Sequence, residues 1–146
     1  NNQLVYTVDH HSGSEEHQLN EEYFDEDIYD FKEKRVNSFP LLIKNINDHK
    51  MQNIVPIISD AYDLSSKWSA KLGMLFIDGG HSLESAMSDY NSWESKILCS
   101  GALVIHDIYE KPEDGGQAPF EVYKKALENN YKLYERVDTI VCLIKG

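Results

Sequence analysis

Positive charge is scarce in this 146-residue chain: 14 Lys and Arg stand against 25 Asp and Glu, a formal net charge of -11. No Lys/Arg cluster offsets that balance locally, so a phosphate backbone is a poor fit and nucleic acid is set aside as a partner. Long apolar runs are missing as well. None approaches the roughly 18 residues of a membrane span, and the opening NNQLVYTVD holds no signal-peptide apolar segment. These absences predict a cytoplasmic location and no membrane partner. Cysteine is limited to Cys99 and Cys142, in apolar surroundings and without metal-ligand spacing. They read as reduced core thiols, which suits them better than a disulfide framework. A first-turn glycine fingerprint for a dinucleotide is not visible either.

What is present suits one compact domain over residues 1–146, with 41% hydrophobic residues to build a single core. Short apolar runs alternate with helical periodicity. Leu4 to Val8 reads as a buried strand ending at Asp9. From Ser38 to Lys50, Phe39, Leu42, Ile43 and Ile46 recur at helical spacing behind a Ser N-cap and an early Pro40. Ile54 to Ile58 reads as an edge strand, because Pro56 has no N–H for a second neighbour. A short helix around Leu64 to Lys71 precedes a strand over Leu72 to Ile77. A further helix follows, capped by Ser82, with Leu83, Ala86, Met87, Tyr90, Trp93 and Ile97 on one face. Gly101 to Ile105 is a fourth strand ending in His106-Asp107. Pro119 opens a last helix with Phe120, Tyr123, Ala126 and Leu127 inward, and strands near Lys132 to Val137 and Thr139 to Ile144 close the chain. This alternation predicts an α/β fold with a mostly parallel, doubly wound sheet.

In such sheets the ligand site lies beyond the carboxyl ends of the parallel strands. Four such ends are Asp9, Ser59-Asp60, Asp78-Gly-Gly-His81 and His106-Asp107, and each carries a carboxylate. A strand-end Asp is often only a turn former or helix cap, but four together, two of them with histidine, form a pattern. The carboxylate of Asp9 can accept both hydroxyls of a ribose diol. Asp78 and Asp107, with His106 between them in kind, offer the oxygen and nitrogen ligands that hold Mg²⁺ or Mn²⁺. Gly79-Gly80 permits close backbone approach to a ligand. His81, whose unperturbed pKa lies near neutrality, is a general-base candidate.

Together VDHHSGSEEH, FIDGGH, the Trp-containing helix, GALVIHD and PEDGGQAP resemble class I S-adenosylmethionine-dependent methyltransferases, in particular a bacterial branch similar to metal-dependent O-methyltransferases. The resemblance implies a Rossmann-like sheet, mostly parallel with an antiparallel C-terminal strand. It implies that Asp9 holds the cofactor ribose and that Ser59, Asp60 and Ala61 touch adenine. It also implies a divalent metal, Mg²⁺ or another, on Asp78, His106 and Asp107, with His81 as base toward a small-molecule acceptor. His106 stands where relatives carry an acidic or amide ligand. The family's opening strand, helix and glycine-rich methionine cradle have no counterpart here, so the chain is expected to be an N-terminally truncated methyltransferase domain. Alone, it is expected to bind little or no cofactor, to be inactive, and to be poorly stable or self-associate, which leaves room for a homo-oligomer.

Other features point less far. The histidines of His10 to His17 share no helical or strand spacing, which disfavours a second metal site. Residues 10–37 read as a lid or substrate-loop insert, and their run EEYFDEDIYDF interleaves aromatics with carboxylates. Pro112 to Pro119 is turn chemistry beside the acidic pair, and Trp68 and Trp93 read as core residues on helix faces. Rival readings are a metal-dependent hydrolase using Asp78, His81, His106 and Asp107, a nicotinamide oxidoreductase on a similar sheet, and a non-catalytic fragment.

Overall fold

A computed structural model of the chain describes residues 3–14, 17–21, 23–80 and 82–146. They form two compact units, residues 1–63 and 64–146, which divide within a short helix.

In the first unit β1 (Val5–Asp9) and β4 (Ile54–Ile58) pair in parallel, with Asp9 opposite Ile58 and Pro56 opposite Thr7. Pro56 lacks an N–H, and β1 is the only strand paired with β4 among the described residues, as the edge reading requires. Between them, the described part of residues 10–37 holds regular structure. A 3₁₀ turn at Glu26–Ile28 leads into a small antiparallel ribbon, β2 (Tyr29–Asp30) and β3 (Arg35–Val36). Phe24, Tyr29 and Phe31 stack edge-on along it at 5.3 and 5.0 Å between ring centroids. Helix α1 (Phe39–Asp48) turns Phe39, Leu42, Ile43 and Ile46 to its half-buried face, as the periodicity predicts. Ser38 precedes it without a side-chain cap bond, because its Oγ pairs with His11 Nδ1 at 2.8 Å. Helix α2 (Ala61–Ser65) begins earlier and is shorter than the spacing suggested.

The second unit is a four-stranded sheet in the order β5-β6-β8-β7. β5 (Leu72–Ile77) and β6 (Ile97–Ile105) are parallel, with Ile77 opposite Ile105. β7 (Tyr131–Val137) and β8 (Ile140–Lys145) form a hairpin turned at Asp138, whose φ is +50°, and β8 runs antiparallel to β6. The sheet is therefore mixed, with two of its three pairings antiparallel, where a mostly parallel sheet was expected. For β7 and β8 the reason is local: a two-residue connection can only fold the second strand back on the first.

Helices α3 (Leu83–Trp93) and α4 (Ala118–Glu128) supply the other layer. Ser82 caps α3 by accepting from the Ser85 N–H. Ala86, Tyr90, Val122 and Ala126 meet Leu103, Ile105, Val141 and Leu143 in the core. Four expectations change here. Ile97 does not extend the α3 face, since a 3₁₀ turn at Glu94–Lys96 separates them and Ile97 opens β6. Val122, fully buried, takes the inward place expected of Leu127, which is 40% exposed. Cys99 is exposed, and Trp68 lies beyond α2 in irregular chain, 5.5 Å from the buried Trp93. Among the described residues no helix is long and apolar enough to cross a membrane.

Candidate functional site

The register of β5 and β6 builds the centre of the second unit. Because Ile77 faces Ile105, the next residues, Asp78 and His106, leave the sheet side by side, and the His106 N–H donates to the Ile77 carbonyl at 3.1 Å. His106 Nδ1 lies 3.2 Å from Asp78 Oδ1 and 3.1 Å from Asp107 Oδ1. Among the described residues these three are the group whose potential ligand atoms all lie within 4.8 Å of one another. His106 Nδ1 is buried and, despite these distances, is aligned for a hydrogen bond with neither carboxylate. A nitrogen and two carboxylate oxygens crowded around one point make a donor set for a metal cation. The donor types, hard oxygen and imidazole, suit a divalent ion such as Mg²⁺ or Mn²⁺.

Asp107 reaches the cluster through an unusual backbone. Its φ is +58°, the left-handed region that Asp tolerates better than most residues. Ile108 then plunges into the core at 1% exposure, and its N–H donates to the Thr139 carbonyl at 2.8 Å. Arg136 of β7 faces the same loop, donating to the Ile108 carbonyl at 3.2 Å, to Glu110 at 2.5 Å and to the Asp138 carbonyl at 3.1 Å.

A small recess opens at this strand end, lined by Asp78, Gly79, Gly80, Asp89, His106 and Asp107 over a floor of Ala86, Pro119 and Val122. Asp89 was not singled out in the sequence, although the signal was present. It stands three residues after buried Ala86, a carboxylate inside the apolar stripe of α3. Its Oδ2 would lie 2.7 Å from a Cβ placed on Gly79, so a larger residue there would make that carboxylate turn aside. The base candidate His81 lies outside the described residues.

The expected cofactor residues gather in the first unit. Asp9 and Ser59 are neighbours at the ends of β1 and β4, with the Ser59 N–H donating to the Asp9 carbonyl at 3.2 Å. The Asp9 carboxylate is 54% exposed and accepts from the His11 N–H at 2.9 Å, which fixes its direction. Asp60 accepts from the Asp63 N–H at 3.1 Å and so starts α2 at Ala61. The histidine tract makes loop contacts: His10 and His17 ring nitrogens accept backbone N–H groups of Ser12 and Ser14, and His11 is buried against Ser38. Past Asp107, the Gln117 amide donates to the carbonyls of Tyr109 and Gly115, closing the turn.

Comparison with known proteins places this architecture. The O-methyltransferase NovP superposes with a TM-score of 0.66 at 14% identity, over 97% of this chain and 60% of its own. The SAH-bound Podospora anserina methyltransferase PaMTH1 gives 0.56 at 11% identity, over 80% and 57%. SMU.1697c of Streptococcus mutans, in complex with SAH, gives 0.55 at 10% identity, over 99% and 90%. The chain thus spans about three-fifths of the length of NovP, and these likenesses establish a shared α/β fold. Residues 1–108 match the family described as Methyltransferase domain, and the chain belongs to that family.

Proposed function

We propose that the protein transfers a methyl group from S-adenosylmethionine to an oxygen of a small-molecule acceptor, with a divalent metal at Asp78, His106 and Asp107. The observation that carries this reading is the convergence of those three donors at adjacent parallel strand ends, in a chain of the methyltransferase family. The buried, unaligned Nδ1 of His106 supports a cation at that point. An exposed strand-end carboxylate with one oxygen already oriented by a backbone N–H is suited to a ribose diol, which supports Asp9 as the cofactor anchor. An O-methyltransferase and a SAH-bound methyltransferase among the similar structures fit a methyl transfer from S-adenosylmethionine to oxygen.

In this reading S-adenosylmethionine supplies the electrophilic methyl, and the metal supplies positive charge that makes an acceptor hydroxyl more acidic. Asp9 binds the ribose, and Ser59, Asp60 and Ala61 border the adenine. Asp78, His106 and Asp107 hold the metal. His81 takes the hydroxyl proton as general base. The aromatic ribbon within residues 10–37 is a lid or acceptor loop.

The test is methyl transfer by the full-length protein with labelled S-adenosylmethionine, a panel of small hydroxylated acceptors, and chelator. Label in an O-methyl product that disappears with chelator and returns with Mg²⁺ is the expected result. Transfer indifferent to chelator overturns the metal assignment, and failure to bind S-adenosylmethionine overturns the whole reading.

A further inference from the structure

We infer that Arg136 is a positioning residue for the metal centre: its guanidinium clamps the loop that carries Asp107 and holds that ligand in its left-handed backbone conformation. The inference rests on the metal reading above and assigns a role to a residue remote in sequence from every strand-end motif.

Three observations support it. Asp107 sits at φ +58°, a conformation that must be held by its surroundings. The residue after it is fixed on three sides: the Ile108 side chain in the core, its N–H on the Thr139 carbonyl, and its carbonyl on Arg136 Nη2 at 3.2 Å. The guanidinium also donates through Nε to the Asp138 carbonyl and through Nη1 to Glu110, so one planar fork ties the β7–β8 turn to both ends of Ile108–Glu110. Only arginine supplies donors in these directions together, since a lysine ammonium is a single point. The Glu110 carboxylate is 61% exposed, so the ion pair itself contributes little, and the two carbonyl bonds carry the geometry.

Charge and geometry give opposite signs, which makes the inference testable. Arg136 is a cation near an acidic metal centre. If it acted through charge alone, removing it would strengthen cation binding or leave it unchanged. If it positions Asp107, removing it weakens cation binding. The experiment is a Mn²⁺ titration of the full-length protein, read by electron paramagnetic resonance of free Mn²⁺, for wild type, R136M, R136K, E110Q and D78N. The expected result is about a tenfold or greater weakening for R136M and for R136K, the usual effect of removing an outer-shell support. R136K keeps the charge, and stands in for R136M if the latter does not melt cooperatively. E110Q is expected to stay within about twofold of wild type, as an exposed pair should. Unchanged or tighter Mn²⁺ binding in R136M and R136K, with D78N weakened, overturns the inference and leaves the metal reading standing. Unchanged binding in D78N as well overturns the metal reading itself.

Discussion

The carboxylate of Asp89 occupies the space that a side chain at Gly79 would need, with Oδ2 2.7 Å from the position of the missing Cβ. Because that oxygen ends a rotatable side chain, Gly79→Ala is expected to fold, turning the carboxylate aside at a cost within about 1 kcal/mol. The cost should shrink in an Asp89→Ala background, with a coupling of about 0.5 kcal/mol or more. Urea unfolding of the two single variants and the double variant measures it, and strictly additive costs would disprove the contact.

Ligands and base should separate by what they damage. Asp78→Asn and Asp107→Asn remove a charge from a hard cation site, so metal affinity falls first and activity returns in part at high Mg²⁺. Asn is the right replacement at 107, because it tolerates a positive φ where Ala would add strain. His106→Ala should behave like the aspartates. His81→Ala should leave Mn²⁺ affinity within about twofold while lowering turnover by about a hundredfold to ten-thousandfold, the range for positioned proton transfer. A chelator-insensitive enzyme in which all four variants turn over normally would show that the cluster is structural.

Leu103 and Leu127 test the packing. Leu103 is fully buried in the sheet, whereas Leu127 is 40% exposed on α4. Leu103→Ala is expected to cost about 2–5 kcal/mol. Leu127→Ala should stay near or below about 1 kcal/mol. Denaturant midpoints at constant slope decide, and equal costs would return Leu127 to the core.

Those two leucines also show what could be read from the chain and what could not. β5 has the expected bounds, because a run of apolar residues closed by Asp-Gly-Gly has few other uses. Asp78 and His106 were legible as neighbours because parallel strands bring their carboxyl ends together whatever lies between. The α4 face was harder to read. Helical spacing marks a stripe, but which edge of it is sealed depends on the sheet beneath, and the sheet chose Val122 over Leu127. Ile97 failed for a related reason: its spacing continues α3, but a single 3₁₀ turn ends the helix before it. Arg136 left no trace at all, since its partners near the site are main-chain carbonyls, which every residue possesses.

The titrations also have defined signs. Burial first, and the Glu135 carboxylate second, push the Cys142 thiol above its ordinary value, whereas Cys99 is exposed. Alkylation proceeds through the thiolate, so peptide mapping at pH 8 should find Cys99 modified well before Cys142. Burial likewise raises Tyr131, aided by Glu94, and burial raises Tyr90. The fold therefore favours the neutral phenols. Their stabilising contribution is complete below the unfolded value of about 10 and is lost as pH rises past it, because the unfolded chain then gives up its protons first. Tyr131→Phe should flatten the fall in melting temperature between pH 9 and 11, an interval set by that unfolded value of about 10. A slope identical to wild type would contradict the assignment.

The hairpin that pins Ile108 has a consequence for biosynthesis. A ribosome releases Asp78 first, then His106 and Asp107, and only afterwards Arg136 and Thr139, the residues that fasten the loop between them. Since domains acquire structure as they emerge, the donor set stays unfastened until β8 docks against β6. A chain cut before Arg136 would therefore carry Asp78, His106 and Asp107 without the contacts that fasten the loop between them.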